Sequence, residues 1–393
     1  MAGEKKILDI FVAELKKCGV VGEERAAKLI YLAVTSRFLD KPISIVVKGP
    51  SSGGKSFLAR SVLRFHPDSA YYALSAMSEK AIAYSDEPLK HRFMVIYEAA
   101  GLNSEFQTYL LRSLLSEGEI RYETVEKTAS GIEARLIRRE GPTGLLLTTT
   151  AIQLHPENET RLFSLTVTDT QEQTMEVLKA LAEERDGALD CAKWHALQTW
   201  IEGGAHLVTI PFAKVLAENI PPKAVRLRRD FAAVLSLIHA HAILHQATRK
   251  RDPQGRIIAK VVEDDGTVRD LVADLVAEGV GATVPATVRA TVEKVASLAL
   301  GREVSNSDLA KAMNLDKGTV SRRVKRAIKL GFLQNLETKS GLPARLALGE
   351  PMPEEQDILP RVEVLHRCTS NGEVYTPSLS PETSGDNSYE ETV

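Results

Sequence analysis

The chain reads as an α/β fold: a parallel sheet carrying a phosphate-binding loop, a helical region after it, and a small helix-rich unit further on. Three observations predict this. Residues 49–56 read Gly-Pro-Ser-Ser-Gly-Gly-Lys-Ser, after the β-branched run Ile43-Ser44-Ile45-Val46-Val47-Lys48 and before the helix-periodic run 57–63. Residues 43–168 alternate strand-like and helix-like stretches, the pattern of a parallel sheet. Residues 303–330 read as a short helix, a turn and a longer basic helix.

Bulk properties set the frame. The 393 residues suit two or three domains. A content of 44% hydrophobic and 26% charged residues is that of an ordinary globular protein. The net charge of −2 neither favours nor excludes a nucleic-acid partner. Cys18, Cys191 and Cys368 are odd in number and far apart, so no disulfide framework or zinc site is expected. The start, Met-Ala-Gly-Glu-Lys-Lys, has no apolar signal core, and no run approaches a membrane span. A cytoplasmic protein without a membrane partner is expected.

Along the chain, residues 1–40 predict two helices broken near Gly19-Val20-Val21-Gly22, and 41–170 the nucleotide-binding core. Residues 171–285 predict a mostly helical region and connector, broken at Pro221-Pro222. Turn signals follow at Asp252-Pro253-Gln254-Gly255 and Asp264-Asp265-Gly266. Residues 286–350 form the compact helical unit. Residues 351–393 are expected to be a disordered tail, with no Lys or Arg from Thr369 onward.

The loop explains itself chemically. Glycines let backbone N–H groups converge on phosphate, and the following helix N-terminus adds partial positive charge. Gly49, Pro50, Ser51, Ser52, Gly53, Gly54, Lys55, Ser56 and Phe57 are therefore the expected contacts to ATP. Lys55 can reach the β- and γ-phosphates, and the Ser56 hydroxyl can ligate Mg²⁺. A second strand, Phe93-Met94-Val95-Ile96-Tyr97, ends in Glu98, whose carboxylate can position Mg²⁺ or polarise a water. The usual ending is Asp-Glu, and Tyr97 stands at the Asp place. A third strand, 144–147, ends in Thr148-Thr149-Thr150, with Thr149 the candidate hydroxyl for the γ-phosphate. Arg161, just before another apolar run, suits a finger reaching a neighbouring subunit's ATP, or else a local surface ion pair.

This order of elements resembles the AAA+ ATPases. Residues 119–139 make two strand-like arms around Thr128-Ala129-Ser130-Gly131, an insertion similar to the hairpin before sensor 1 in minichromosome maintenance (MCM) helicases. The resemblance implies a hairpin in a central pore, with Lys127 near a DNA-gripping tip. Residues 158–169 are similar to the family's Ser-Arg-Phe-Asp finger region, from which Thr160-Arg161-Leu162-Phe163 departs. Residues 172–245 look like the AAA+ lid, with Arg229 the first and Arg228 the second sensor-2 candidate. His239, His241 and His245 are read as ordinary helix histidines, since no carboxylate or cysteine in the sequence completes a metal set. The likeness spans about residues 25–345 and lacks the N-terminal DNA-encircling domain of MCM proteins.

In the C-terminal unit, residues 307–313 and 317–330 flank the turn Asn314-Leu315-Asp316, and 333–348 suit a wing turning at Lys339-Ser340-Gly341. Residues 301–345 hold ten Lys/Arg and four Asp/Glu, a basic excess that favours phosphate. This resembles a winged helix-turn-helix. Its expected DNA contacts are Lys317, Thr319, Ser321, Arg322, Arg323 and Arg326, opposite the apolar Val320, Val324, Ala327 and Ile328. The combined expectation is an ATP-dependent DNA-acting motor in a homo-oligomeric ring, a replication or mobile-element helicase or helicase loader. The alternatives are an ATP-switched transcriptional regulator and an ATP-binding scaffold without turnover.

Overall fold

The computed structural model describes residues 1–98, 104–128, 131–150, 161–168, 170–183, 190–222, 224–281, 284–299, 303–337, 339, 342–353 and 357–370. The expected hairpin turn at 129–130, the finger segment 155–160 with Asp169, the wing turn at 340–341 and the tail from 371 lie outside these residues.

Two helices open the chain, α1 (Ile7–Lys17) and α2 (Glu24–Thr35). Gly19 and Gly22 between them take positive φ, as the break requires. Strand β1 (Ile45–Lys48) then leads through the loop into α3 (Lys55–Leu63). Next come β2 (Tyr71–Leu74), the short α4 (Ala81–Tyr84), β3 (Arg92–Ile96) and α5 (Glu105–Glu117). The antiparallel pair β4 (Glu119–Thr128) and β5 (Gly131–Glu140) forms the anticipated hairpin. Strands β6 (Thr143–Thr149) and β7 (Phe163–Thr166) complete a five-stranded sheet ordered β2-β3-β6-β1-β7, every pair parallel. All its C-terminal strand ends, including the loop after Lys48 and Glu98 after β3, therefore lie on one edge.

Both faces of the sheet are covered, so its strands read as continuous apolar runs. Met94, Ile96, Leu145 and Leu147 pack with α5 and the hairpin base. Ile45, Val47, Val95 and Leu146 face the larger core, which contains Phe11, Tyr31, Phe65 and Trp194. After α6 (Gln171–Ala182), which adds no side chain to it, that core takes in residues of α7 (Ala192–Glu202), α8 (Ala213–Glu218), α9 (Leu227–Leu244) and α10 (Gly266–Gly279). The indole N–H of Trp194 donates to Glu14 Oε2 at 2.7 Å, joining α7 to α1. The N-terminal helices are thus part of the central core rather than an appended unit.

Two expectations are corrected. Asp264-Asp265-Gly266 is no turn: residues Val261–Asp265 form a π-helical turn that runs into α10. Asp264 is fully buried there, accepting from Arg249 Nε at 2.9 Å, Arg249 Nη2 at 2.6 Å and the Lys260 N–H at 2.7 Å. A buried ion pair replaced the solvent that a turn would need. The tail, second, begins as ordered chain. Ile358, Leu359 and Leu365 are buried in the main core, so this segment has apolar surface enough to fold back.

The remaining helices are α11 (Ala286–Leu298), α12 (Asn306–Met313), α13 (Lys317–Lys329) and α14 (Val362–Ser370). Strands β8 (Val208–Thr209) and β9 (Ile257–Ile258) pair in parallel, and β10 (Leu333–Asn335) and β11 (Leu346–Leu348) antiparallel as the wing. Ser305 and Asp308 form a capping box at α12, and Asp316 caps α13 through Thr319 N at 2.9 Å. Val288, Val295, Leu309, Val320, Val324 and Ala327 fill this unit's separate core.

Candidate nucleotide site and nucleic-acid interface

The loop has the backbone of an anion cradle. Ser52 and Gly54 take φ values of 62° and 75°, and α3 starts directly after Gly54 with no side-chain cap. Its first N–H groups are left to face a ligand. Gly49 tolerates no side chain, because a Cβ there would lie 2.3 Å from Val167 Cγ2. The Lys55 ammonium donates to Pro50 O at 2.7 Å, curled into its own loop. Burial lowers its pKa, partly offset by the charge of Glu98.

Glu98 is held firmly for an exposed side chain. It sits at φ 65°, in the left-handed region, and its N–H donates to Thr148 Oγ1 at 2.9 Å. Thr150 Oγ1 donates to Glu98 Oε1 at 3.4 Å. Thr149 does not share this contact. Alternation along β6 sends it to the α5 side with Leu145 and Leu147, and it is buried. The hydroxyls that meet Glu98 are therefore those of Thr148 and Thr150, a parity that the three consecutive threonines concealed. Tyr97 fills the place of the usual aspartate, with Arg60 Cζ 4.8 Å from its ring centroid. Burial raises the Tyr97 hydroxyl and Arg60 opposes that rise. Arg60 could not be found from the sequence, since it projects from α3 with no motif of its own.

Arg161 lies at the other end of the sheet. It precedes β7, whose Phe163 is in register with Ile45 at the start of β1. With Arg228 and Arg229 it lines a cavity of about 350 Å³ that also includes Lys41, Ser44 and Leu115. The strand between this cavity and the phosphate loop spans about 13 Å at ~3.3 Å per residue. Arg161 Nε donates to Ser116 Oγ at 2.9 Å. Burial, then the like charges of Arg229 and Arg112, lower its pKa. Neither Arg161 nor Arg229 belongs to the loop end of the sheet. The structure brings Lys55, Ser56 and Glu98 to one edge of the sheet, and the arginines to the opposite one.

The histidine reading changes in one respect. A carboxylate does meet His241: its Nδ1 is 2.6 Å from Asp264 Oδ1. Arg249 occupies both oxygens of that carboxylate, so the group is a buried ion pair. Burial alone would raise Asp264, but His241 and Arg249 hold it well below the usual carboxylate range.

The hairpin carries balanced charge. Residues 119–140 hold five Lys/Arg and five Glu. Arg135 pairs with Glu126 at 3.0 Å and Arg138 with Glu119 at 2.7 Å. Lys127 is exposed beside the turn, opposite Ile132. On the winged unit, Lys317 is exposed and Ser321, Arg322, Arg323 and Arg326 are half-buried. Thr319 is corrected: it is buried, and its hydroxyl accepts from Arg322 Nη2 at 2.7 Å, orienting that guanidinium. Asn314, in the turn between α12 and α13, hydrogen-bonds Gln171 at the start of α6. Burial pushes Glu278 on α10 up to about 7, with Arg326 the strongest charge opposing it. The turn of the winged unit thus meets the start of α6.

Residues 4–197 match the family described as the MTBMA_p00010 P-loop domain, and residues 301–334 match the family described as winged helix-turn-helix, DNA-binding. The chain joins a P-loop domain to a winged helix-turn-helix. P-loop domains are nucleotide-binding folds, and the parallel sheet, phosphate loop and helical region described above fit an AAA+ core. No curated protein matches. A full-length MCM homologue from Methanopyrus kandleri is a structural neighbour at a TM-score of 0.40 and 15% identity, over 70% of this chain. The match spans 59% of that protein's length. Among the described residues no helix is long and apolar enough to cross a membrane.

Proposed function

We propose that this chain is an ATP-hydrolysing, DNA-acting AAA+ protein that works as a homo-oligomeric ring, in the role of a replication or mobile-element helicase or helicase loader. The observation that carries this reading is the separation of Lys55 and Glu98 from Arg161 by the length of the sheet. A head-to-tail contact puts the arginine end of one copy on the loop end of the next.

The residues present fit the nucleotide. The uncapped start of α3 and the curled loop suit phosphate, and Lys55 is free to exchange Pro50 O for phosphate oxygens. Ser56 and Glu98 are the Mg²⁺ candidates, and a bound Mg²⁺ supplies charge neutralisation at the phosphates. Tyr97 offers one neutral hydroxyl where a carboxylate is usual, so Glu98 is left as the anionic group. Glu98 orients and deprotonates the attacking water, and Thr150 steadies the carboxylate. Arg161 and Arg229 of the neighbour meet the charge that develops on the transferred group. Thr149 keeps no direct part in this scheme.

DNA enters through the winged unit, where Lys317, Ser321, Arg322, Arg323 and Arg326 meet phosphates or base edges. The balanced charge of the hairpin favours a second reading, an ATP-switched DNA-binding regulator in which only the winged unit touches DNA. ATPase rates measured alone and with single- or double-stranded DNA separate the two. Stimulation that Lys127→Ala abolishes supports the motor. Activity unmoved by any DNA, with specific duplex binding intact, supports the regulator. Absence of ATP binding in the wild type, or unchanged binding and hydrolysis in folded Lys55→Ala, refutes both.

A further inference from the structure

We propose that the apolar stripe Met175, Leu178 and Leu181 on α6 is a docking surface for a second copy of this chain, beside the nucleotide site. This rests on the head-to-tail reading above and names the surface that would carry it.

The first turn of α6 is anchored. Thr170 caps it by accepting from Gln173 N at 3.2 Å, and the Gln173 side-chain amide donates to Val21 O. Beyond that turn the helix faces water with the wrong side chains. Met175, Leu178 and Leu181 are 54%, 55% and 75% exposed, and within α6 only Ala180 is buried. The spacing of three places all three on one side of the helix. A helix of this length is marginal in water without a packed face, and exposed apolar side chains gathered on one helix mark an interaction site.

Position and charge choose the occupant. Only Thr168, Asp169 and Thr170 separate α6 from Val167, which packs against Gly49 of the phosphate loop. The start of α6, from which the stripe runs on, therefore lies on the loop edge of the outer strand β7. The opposite edge of that strand carries the cavity lined by Lys41, Arg161, Arg228 and Arg229. Its apolar wall includes Pro42, Leu162 and Phe163. Residues 171–183 carry Glu172, Glu176 and Glu183 against the single Lys179. An acidic helix with an apolar stripe thus stands at one end of the sheet, and a cationic surface with an apolar wall at the other. A contact between unlike ends repeats from copy to copy, and closes as a ring when the rotation between copies closes. Lys179 is the only cation on the helix, so nucleic acid is a poor occupant.

The test is sedimentation velocity on the full chain, with and without a non-hydrolysable ATP analogue and Mg²⁺. The variants are Leu178→Glu/Leu181→Glu and the milder Met175→Ser/Leu178→Ser/Leu181→Ser. Wild type is expected to assemble. Both variants are expected to sediment as folded monomers at the same concentration, with circular dichroism and analogue affinity unchanged within about threefold, roughly 0.6 kcal/mol. Arg161→Ala, which removes one of the four cations of the facing cavity, is expected to fail in hydrolysis and to weaken assembly less than the stripe variants do. Stripe variants that assemble like wild type overturn the proposal and leave the shared site standing. A wild type that stays monomeric under all conditions overturns both. A monomeric wild type whose stripe variants merely expand assigns the stripe to cover by its own chain, which also overturns the proposal. If the Glu variant misfolds, the Ser variant decides.

Discussion

The backbone N–H of Glu98 donates to Thr148 Oγ1 at 2.9 Å while Glu98 holds a φ of 65°. A left-handed conformation costs a non-glycine residue of order 1 kcal/mol. The hydroxyl of a fully buried threonine on the neighbouring strand secures it. Thr148→Val is expected to lower kcat for ATP hydrolysis on the order of tenfold, about 1.4 kcal/mol in the barrier. Nucleotide affinity should hold within about twofold, and Thr148→Ser should recover most of the rate. Equal loss in the Val and Ser variants would show that packing, not the hydroxyl, matters.

Much of this site was legible because strand, loop and helix each follow from local residue choice. The β-branched run before Gly49, the glycines of the loop and the apolar run ending at Glu98 fix a parallel-sheet edge without tertiary information. The hairpin arms and the basic helix from Lys317 are equally local. What escaped the sequence depends on distant pairings. Which of three threonines meets Glu98 depends on strand parity. Arg60 meets Tyr97 only once α3 has packed. Asp264 reads as a turn residue until Arg249 and His241 are brought to it. The segment at Ile358, Leu359 and Leu365 looks polar in composition but supplies three apolar anchors.

Asp264 is fully buried and bound by Arg249 and His241. Asp264→Ala leaves the Arg249 guanidinium buried without its carboxylate, at a cost of about 3–5 kcal/mol. Urea unfolding followed by circular dichroism should show this as a lower midpoint. A change under 1 kcal/mol would mean that solvent reaches Arg249.

Stability should carry a carboxylate signature near neutral pH. Burial pushes Asp265 and Glu278 each up to about 7. Their folded values exceed the unfolded ones of about 4, so the native state holds the extra protons and stability falls as pH rises from about 4 through 7. Buried His66 and His245 are lowered and act in the opposite sense, losing stability as pH falls below about 6.5. The carboxylates are isolated by subtraction. The difference in Tm between wild type and Asp265→Asn/Glu278→Gln should change with pH between 5 and 8, with wild type losing ground as pH rises. A difference that is flat across that range contradicts the assignment.

Replacing Arg322, Arg323 and Arg326 together by alanine should weaken duplex binding and reduce the salt slope by roughly one unit per lost phosphate contact. Basal ATPase activity should persist. Binding equally tight and equally salt-dependent in the triple variant would make the winged unit a protein-contact module.

The most direct test of the central claim is the ATPase activity of a mixture of Glu98→Gln and Arg161→Ala proteins. Each alone is expected to be nearly inactive, one lacking the carboxylate and the other the arginine. Mixed, some interfaces pair an intact Glu98 with an intact Arg161, so activity should reappear and rise with total protein concentration. No recovery in mixed assemblies shown to contain both proteins, or wild-type activity that is independent of concentration in a strictly monomeric sample, would contradict a site shared between copies.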